Sequence, residues 1–165
     1  TPYAVLERLA NSGRIRKGDT LLDYGCGKGR VDCYLSYQTR CHSIGVEYDP
    51  RIYETAAENQ KTAVSGGRTE FVLADAGEFP VPDAVNRAYF FNPFSVELLQ
   101  KVIRRILDSW YEVPREIRLF FYYPSDEYLA YLMTVDELVF ADEIDCRELF
   151  DGNDARERIV EFVLE

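Results

Sequence analysis

The segment Leu21-Leu22-Asp23-Tyr24-Gly25-Cys26-Gly27-Lys28-Gly29 places three glycines at alternate positions between an apolar run and an amphipathic stretch. Glycine backbone turns tightly and lets a ligand approach closely, and the helix expected to follow would present unpaired N–H groups at its positive end. A polar ligand should dock there. Glu47 stands 18 residues after Gly29 at the end of the next apolar run. Folds that bind nucleosides put an acid at that place to accept hydrogen bonds from ribose hydroxyls. The spacing Asp-x-Gly-x-Gly-x-Gly departs from the Gly-x-Gly-x-x-Gly of nicotinamide-binding turns, and Asp23 inside the turn could hold a cationic amine.

These residues need elements to position them, and the chain supplies an alternation of short apolar strands and amphipathic helices from Tyr3 to Tyr123. That alternation predicts a parallel α/β sheet. A helix over Tyr3 to Asn11 leads into a strand at Thr20 to Asp23, and a helix over Lys28 to Tyr37 precedes a strand at Ser43 to Glu47. Pro50 opens a helix reaching about Val64. Strands follow at Glu70 to Leu73 and Arg87 to Phe91, then a helix from Ser95 to Trp110 with Val96, Leu99, Val102, Ile103 and Ile106 on one face. The strand Ile117 to Tyr122 and a short helix at Asp126 to Leu132 come next. Two strand-like runs, Leu138 to Cys146 and Arg158 to Leu164, close the chain as a hairpin around Phe150-Asp151-Gly152-Asn153-Asp154.

With 165 residues, 47% of them hydrophobic, the chain is long enough for one full core and too short for two, so residues 1–165 read as a single domain. It does not begin with Met, which suggests a trimmed N-terminus whose missing part could carry substrate contacts. No apolar run approaches the roughly 20 residues of a membrane span, and no export signal opens the chain, so a cytoplasmic protein is expected. Cys26, Cys33, Cys41 and Cys146 are irregularly spaced without a C-x-x-C pair, and His42 is the only histidine; neither a disulfide scaffold nor a metal site is expected. The net charge of −10 resides in residues 126–165, which hold 13 of the 29 acidic residues and 3 of the 19 basic ones. That balance opposes nucleic acid as a partner and leaves a small-molecule or protein substrate, cationic or neutral if Glu148, Asp151 and Asp154 face the mouth of the site.

The stretch Leu22-Asp23-Tyr24-Gly25-Cys26-Gly27-Lys28-Gly29 resembles the first motif of the class I S-adenosylmethionine-dependent methyltransferases, and the resemblance covers most of the chain. It implies a three-layer Rossmann-like α/β sandwich with a mostly parallel seven-stranded sheet and a C-terminal antiparallel β-hairpin. It also implies that S-adenosyl-L-methionine is bound by Asp23, Tyr24, Gly25, Cys26, Gly27 and Gly29, with Glu47 on the ribose and Tyr48 on the adenine. Asp75 and Ala76, in Ala74-Asp75-Ala76 after the third strand, resemble the segment that meets the adenine amino group. Taken alone, Asp75 would be an ordinary solvated loop acid.

The fourth strand ends in Phe90-Phe91-Asn92-Pro93-Phe94, which is similar to the Asn-Pro-Pro-Tyr/Phe motif of methyltransferases acting on amino or amide nitrogens, with one proline missing. The resemblance assigns Asn92, Pro93 and Phe94 to the reaction, Asn92 also bordering the cofactor: side-chain and carbonyl oxygens accept from the target nitrogen, and the ring stacks on the target group. Thr1-Pro2 is similar to a segment some amino-methyltransferases carry ahead of the first motif. Without the family, Asn92-Pro93 is a strand exit with Phe94 in the core. The function implied is N-methylation of a small-molecule or protein amine or amide. The alternatives are methylation of an RNA or DNA base and a non-catalytic cofactor-binding subunit. One or two of Phe120, Phe121, Tyr122 and Tyr123 are expected to face the pocket.

Overall fold

In the computed structural model, which describes residues 1–165, seven strands form one sheet. They are β1 (Thr20–Tyr24), β2 (His42–Glu47), β3 (Thr69–Leu73), β4 (Arg87–Phe90), β5 (Ile117–Tyr122), β6 (Val139–Asp145) and β7 (Arg158–Leu164). The order across the sheet is β3-β2-β1-β4-β5-β7-β6. The first five strands are parallel, and β7 enters antiparallel to both β5 and β6. The chain reverses its direction of travel across the sheet between β3 and β4, so β1 and β4 lie side by side at the switch point. In open α/β sheets this is where ligands bind, outside the carboxyl ends of the strands.

Helices cover both faces. On one side α1 (Tyr3–Asn11) and α2 (Arg30–Thr39) bury Val5, Leu6, Leu9, Val31 and Leu35 against Leu21, Tyr89, Phe120 and Tyr122. On the other, α4 (Val96–Glu112) and α5 (Asp126–Leu132) bury Leu99, Val102, Ile103, Ile106, Tyr128 and Leu132 against Leu22, Ala88, Phe90, Leu119 and Phe121. Helix α3 (Pro50–Thr62) packs Ala56 with Cys26 and Phe71. Because successive side chains of a strand point to opposite faces, β4 and β5 must be apolar at almost every position, as Arg87–Phe90 and Ile117–Tyr122 are.

Local chemistry sets the helix starts. The Asp49 side chain accepts a hydrogen bond from Arg51 N ahead of Pro50, Ser95 accepts from Leu98 N, and Ser125 accepts from Tyr128 N. Helix α2 begins at Arg30, two residues later than its pattern predicts, because Gly29 sits at φ 88° and its N-terminus has no side-chain cap. No helix is long and apolar enough to cross a membrane.

Candidate functional site

The glycine turn hangs from the end of β2. Gly25 N and Cys26 N both donate to the Val46 carbonyl, at 2.9 and 3.0 Å, and Gly27 N donates to Glu47 Oε1 at 3.0 Å. Gly25 and Gly27 stand at φ 68° and 57°, a region open to glycine at little cost. A Cβ on Gly29 would lie 2.5 Å from the Phe71 ring. The other oxygen of Glu47 accepts from Tyr48 N and Asp49 N, both at 3.0 Å. The carboxylate therefore fixes the turn and the start of α3 together. With three of its roughly four acceptor sites used, about one remains for a ligand.

Asp23 and Tyr24 end β1 beneath this turn. Both are buried, and Asp23 Oδ2 and the Tyr24 hydroxyl have no hydrogen-bond partner in the protein. Burial pushes the Asp23 carboxyl up to about 6, while the neighbouring Asp32 side chain acts to lower it. Burial likewise pushes the Tyr24 phenol up, which keeps its proton in place as a donor.

The exit of β4 meets the turn directly. A Cβ on Gly25 would lie 2.7 Å from Pro93 Cβ. Asn92 adopts φ 41°; its Nδ2 donates to the Tyr123 carbonyl at 2.6 Å, and its Oδ1 accepts from Ser125 N at 3.1 Å. The amide thus ties the exits of β4 and β5 together, and an acceptor nitrogen at Oδ1 would share that oxygen with Ser125. Phe94 packs edge-on against Tyr24 and Phe90, while its N–H and carbonyl are both engaged by the Tyr128 hydroxyl.

Two cavities open at the carboxyl ends of the strands. The first, of about 340 Å3, runs along Val46, Glu47, Tyr48, Ala74, Asp75 and Ala76 and is closed by Phe94 and Leu98. The second, of about 430 Å3, is lined by Thr1, Asp23, Tyr24, Cys26, Gly27 and Phe91, among others. They share Gly25, Glu47 and Pro93, so the turn, the strand-end acid and the β4 exit form the wall between them. A larger cleft of about 930 Å3 lies along α4, lined by Glu97, Lys101, Arg104 and Arg105, away from the sheet ends. Size alone does not locate the site.

Of the sequence-predicted residues all but Gly29 and Asn92 line one or both cavities, and Phe94 lines the first alone while Pro93 stands in both. The aromatic run closing β5 behaves differently from expectation. Phe120, Phe121 and Tyr122 are all buried because helices cover both faces of the sheet, and neither these nor Tyr123 lines either cavity. The acidic loop also stays out of both cavities. Glu148 pairs with Arg8 at 2.6 Å, and Asp154 accepts from the Tyr123 hydroxyl. Sequence reasoning missed Phe91, 42% exposed over the second cavity, and Asp32, fully buried behind Asp23. Phe91 could have been found from strand alternation, which sets it opposite Phe90; nothing local marks Asp32.

Residues 21–116 match the family model of the methyltransferase domain. The chain is 28% identical over 113 residues to the 27-O-demethylrifamycin SV methyltransferase of Amycolatopsis mediterranei, covering 68% of this chain and 39% of that protein. The chain thus spans about two fifths of the length of that curated relative. Among solved structures it is similar to an RNA methyltransferase from Salinibacter ruber in complex with S-adenosyl-L-homocysteine. That match has a TM-score of 0.64 and 19% identity over 99% of this chain and 91% of the other. It is also similar to a TehB-like SAM-dependent methyltransferase from Corynebacterium glutamicum, with TM-score 0.69 and 16% identity over 97% and 87% of the two chains.

Proposed function

The chain belongs to the methyltransferase domain family, and from that membership we propose that it binds S-adenosylmethionine and transfers the methyl group to a nitrogen of a small-molecule or protein amine or amide. The observation that carries the reading is the wall shared by the two cavities, in which Gly25, Glu47 and Pro93 stand between a space along Glu47, Tyr48 and Asp75 that would take the nucleoside and a space over Asp23 and Phe91 that would take the amino-acid part and the acceptor.

The residues present fit the cofactor. Glycines at φ 68° and 57° leave the turn without side chains where the amino-acid part would pass, and Asp23, which lines the same cavity, would partner its ammonium group. Glu47 would accept from the ribose, Tyr48 and Asp75 would flank the base, and Phe94 would close that cavity. S-adenosylmethionine supplies an electrophilic methyl group. The protein's part is positioning: Pro93 and Phe91 would hold the acceptor nitrogen in line across the wall, and such alignment can supply about 7–11 kcal/mol of the barrier reduction. Bound there, the cofactor would supply its methyl carbon to the acceptor nitrogen's lone pair, the carbon–sulfur pair staying with sulfur and the acceptor's proton passing to solvent.

A second reading, an RNA base as acceptor, is favoured by Lys28 and Arg30, two cations that line the second cavity and form no ion pair with a carboxylate. The −10 net charge opposes it. Incubating the protein with methyl-labelled cofactor and size-fractionated cell extract separates the readings. Label in small molecules or protein supports the first, label in RNA the second, and no transfer to any fraction counts against both.

A further inference from the structure

Asp32, in the first turn of α2, is fully buried, and both of its carboxyl oxygens lack a hydrogen-bond donor from the rest of the protein. The Asp23 side chain lies within hydrogen-bonding reach of it and is itself only 3% exposed, with one oxygen equally unpartnered. Two ionised carboxylates cannot occupy such a place, because each charge would be desolvated and would repel the other. We propose that Asp32 carries the proton of a buried carboxylic acid–carboxylate pair and donates it to Asp23, so that one negative charge, held in a fixed direction, faces the second cavity from beneath the glycine turn.

The two aspartates hold different positions relative to the ligand space. Asp23 lines the second cavity and Asp32 does not, which makes Asp23 the contact group and Asp32 a positioning residue acting through it. Burial and the Asp23 charge together push the Asp32 carboxyl well above the usual range, whereas Asp23 gains a hydrogen bond that favours its ionised form. The other titratable side chains facing the pair are Glu47 and Tyr89 toward Asp23, and Cys33 toward Asp32. Cys26 lies near both and stays a thiol, because burial and these carboxyls push its titration up. A lone charge suits a ligand bearing one ammonium group, so this inference rests on the cofactor reading for its purpose, though not for the existence of the shared proton.

Asp32→Asn keeps an N–H donor toward Asp23 and cannot titrate, whereas Asp32→Ala removes the donor. Without ligand, the infrared band of a buried protonated carboxyl should appear in the wild type at neutral pH and be missing from Asp32→Asn. A carboxyl raised on folding stabilises the folded state most at low pH, and that stability is lost as pH rises through the folded value. The wild-type unfolding midpoint should therefore keep falling above about pH 6, where the Asp23 contribution ends, while that of Asp32→Asn levels off. With S-adenosylhomocysteine as the binding probe, Asp32→Asn should stay within about 3-fold of wild type and Asp32→Ala should bind about 10-fold more weakly. A wild type without the carboxyl band, or parallel pH curves for wild type and Asp32→Asn, would overturn the shared proton. Should Asp32→Ala fail to fold, the infrared and Asp32→Asn measurements still decide. A wild type that shows the band but does not bind S-adenosylhomocysteine would overturn the cofactor reading while the pair stands.

Discussion

Gly25 and Pro93, 68 residues apart in the chain, stand so close that a Cβ on Gly25 would lie 2.7 Å from Pro93 Cβ. The first βα turn and the exit of β4 are thus in van der Waals contact, and whatever displaces one displaces the other. Gly25→Ala adds that clash to a φ of 68° that a side chain adopts only at a cost of about 1–2 kcal/mol. Calorimetric titration with S-adenosylhomocysteine should show affinity reduced by about 10-fold or more, while the circular dichroism spectrum stays that of the wild type.

Phe94 and Phe91 lie on opposite sides of the wall, so their truncations should separate binding from turnover. Phe94→Ala opens the cavity along Glu47, Tyr48 and Asp75 and should raise the dissociation constant for S-adenosylhomocysteine. Phe91→Ala should leave that constant within about 3-fold of wild type and lower kcat/KM for an identified acceptor by about 10-fold. The reverse pattern would exchange the two cavities.

Asn92 is a joint between strands whatever its part in the reaction. Removing its side chain deletes the bonds to the Tyr123 carbonyl and Ser125 N–H, worth about 1 kcal/mol each, and leaves alanine at φ 41°. Asn92→Ala should therefore unfold about 2 to 3 kcal/mol more easily in urea. Asn92→Asp keeps the acceptor for Ser125 N–H but brings a carboxylate to the Tyr123 carbonyl, and should recover only part of the loss.

Binding of a cationic ligand at Asp23 requires its carboxylate form, and burial raises that group to about 6. Affinity for S-adenosylhomocysteine should be level at neutral pH and fall as pH drops through about 6, with Asp23→Asn weaker throughout and lacking that fall.

The glycine turn and Glu47 are legible in the sequence because their signals are local: alternate glycines after an apolar run, and an acid closing the next strand. The short helix at Asp126–Leu132 is legible for the same reason, with Ser125 as its cap. Asp32 is not, since an acid in a helix first turn is ordinarily a solvated partner of the helix dipole, and only the packing of α2 on β1 buries it. The tie from Asn92 to Tyr123 and Ser125 spans more than 30 residues and leaves no periodic trace. The hairpin is visible as two apolar runs, but its order is not. Placing β7 inside and β6 at the edge follows from burial of six of the seven residues of β7, against one in β6.

Glu47 carries the central claim, because its carboxylate braces the turn through Gly27 N and the start of α3 through Tyr48 N and Asp49 N while keeping about one acceptor site, which the proposed function gives to the ribose. A charge-assisted bond of this kind is worth about 1.5–3 kcal/mol. The most direct measurement is calorimetric titration of wild type, Glu47→Gln and Glu47→Ala with S-adenosylhomocysteine, with thermal unfolding of each protein as the control for fold. The wild type should bind, Glu47→Ala should bind roughly 10- to 100-fold more weakly while remaining folded, and Glu47→Gln should fall between them. Equal affinity of folded Glu47→Ala and wild type would contradict the placement of the cofactor at this turn and the function built on it.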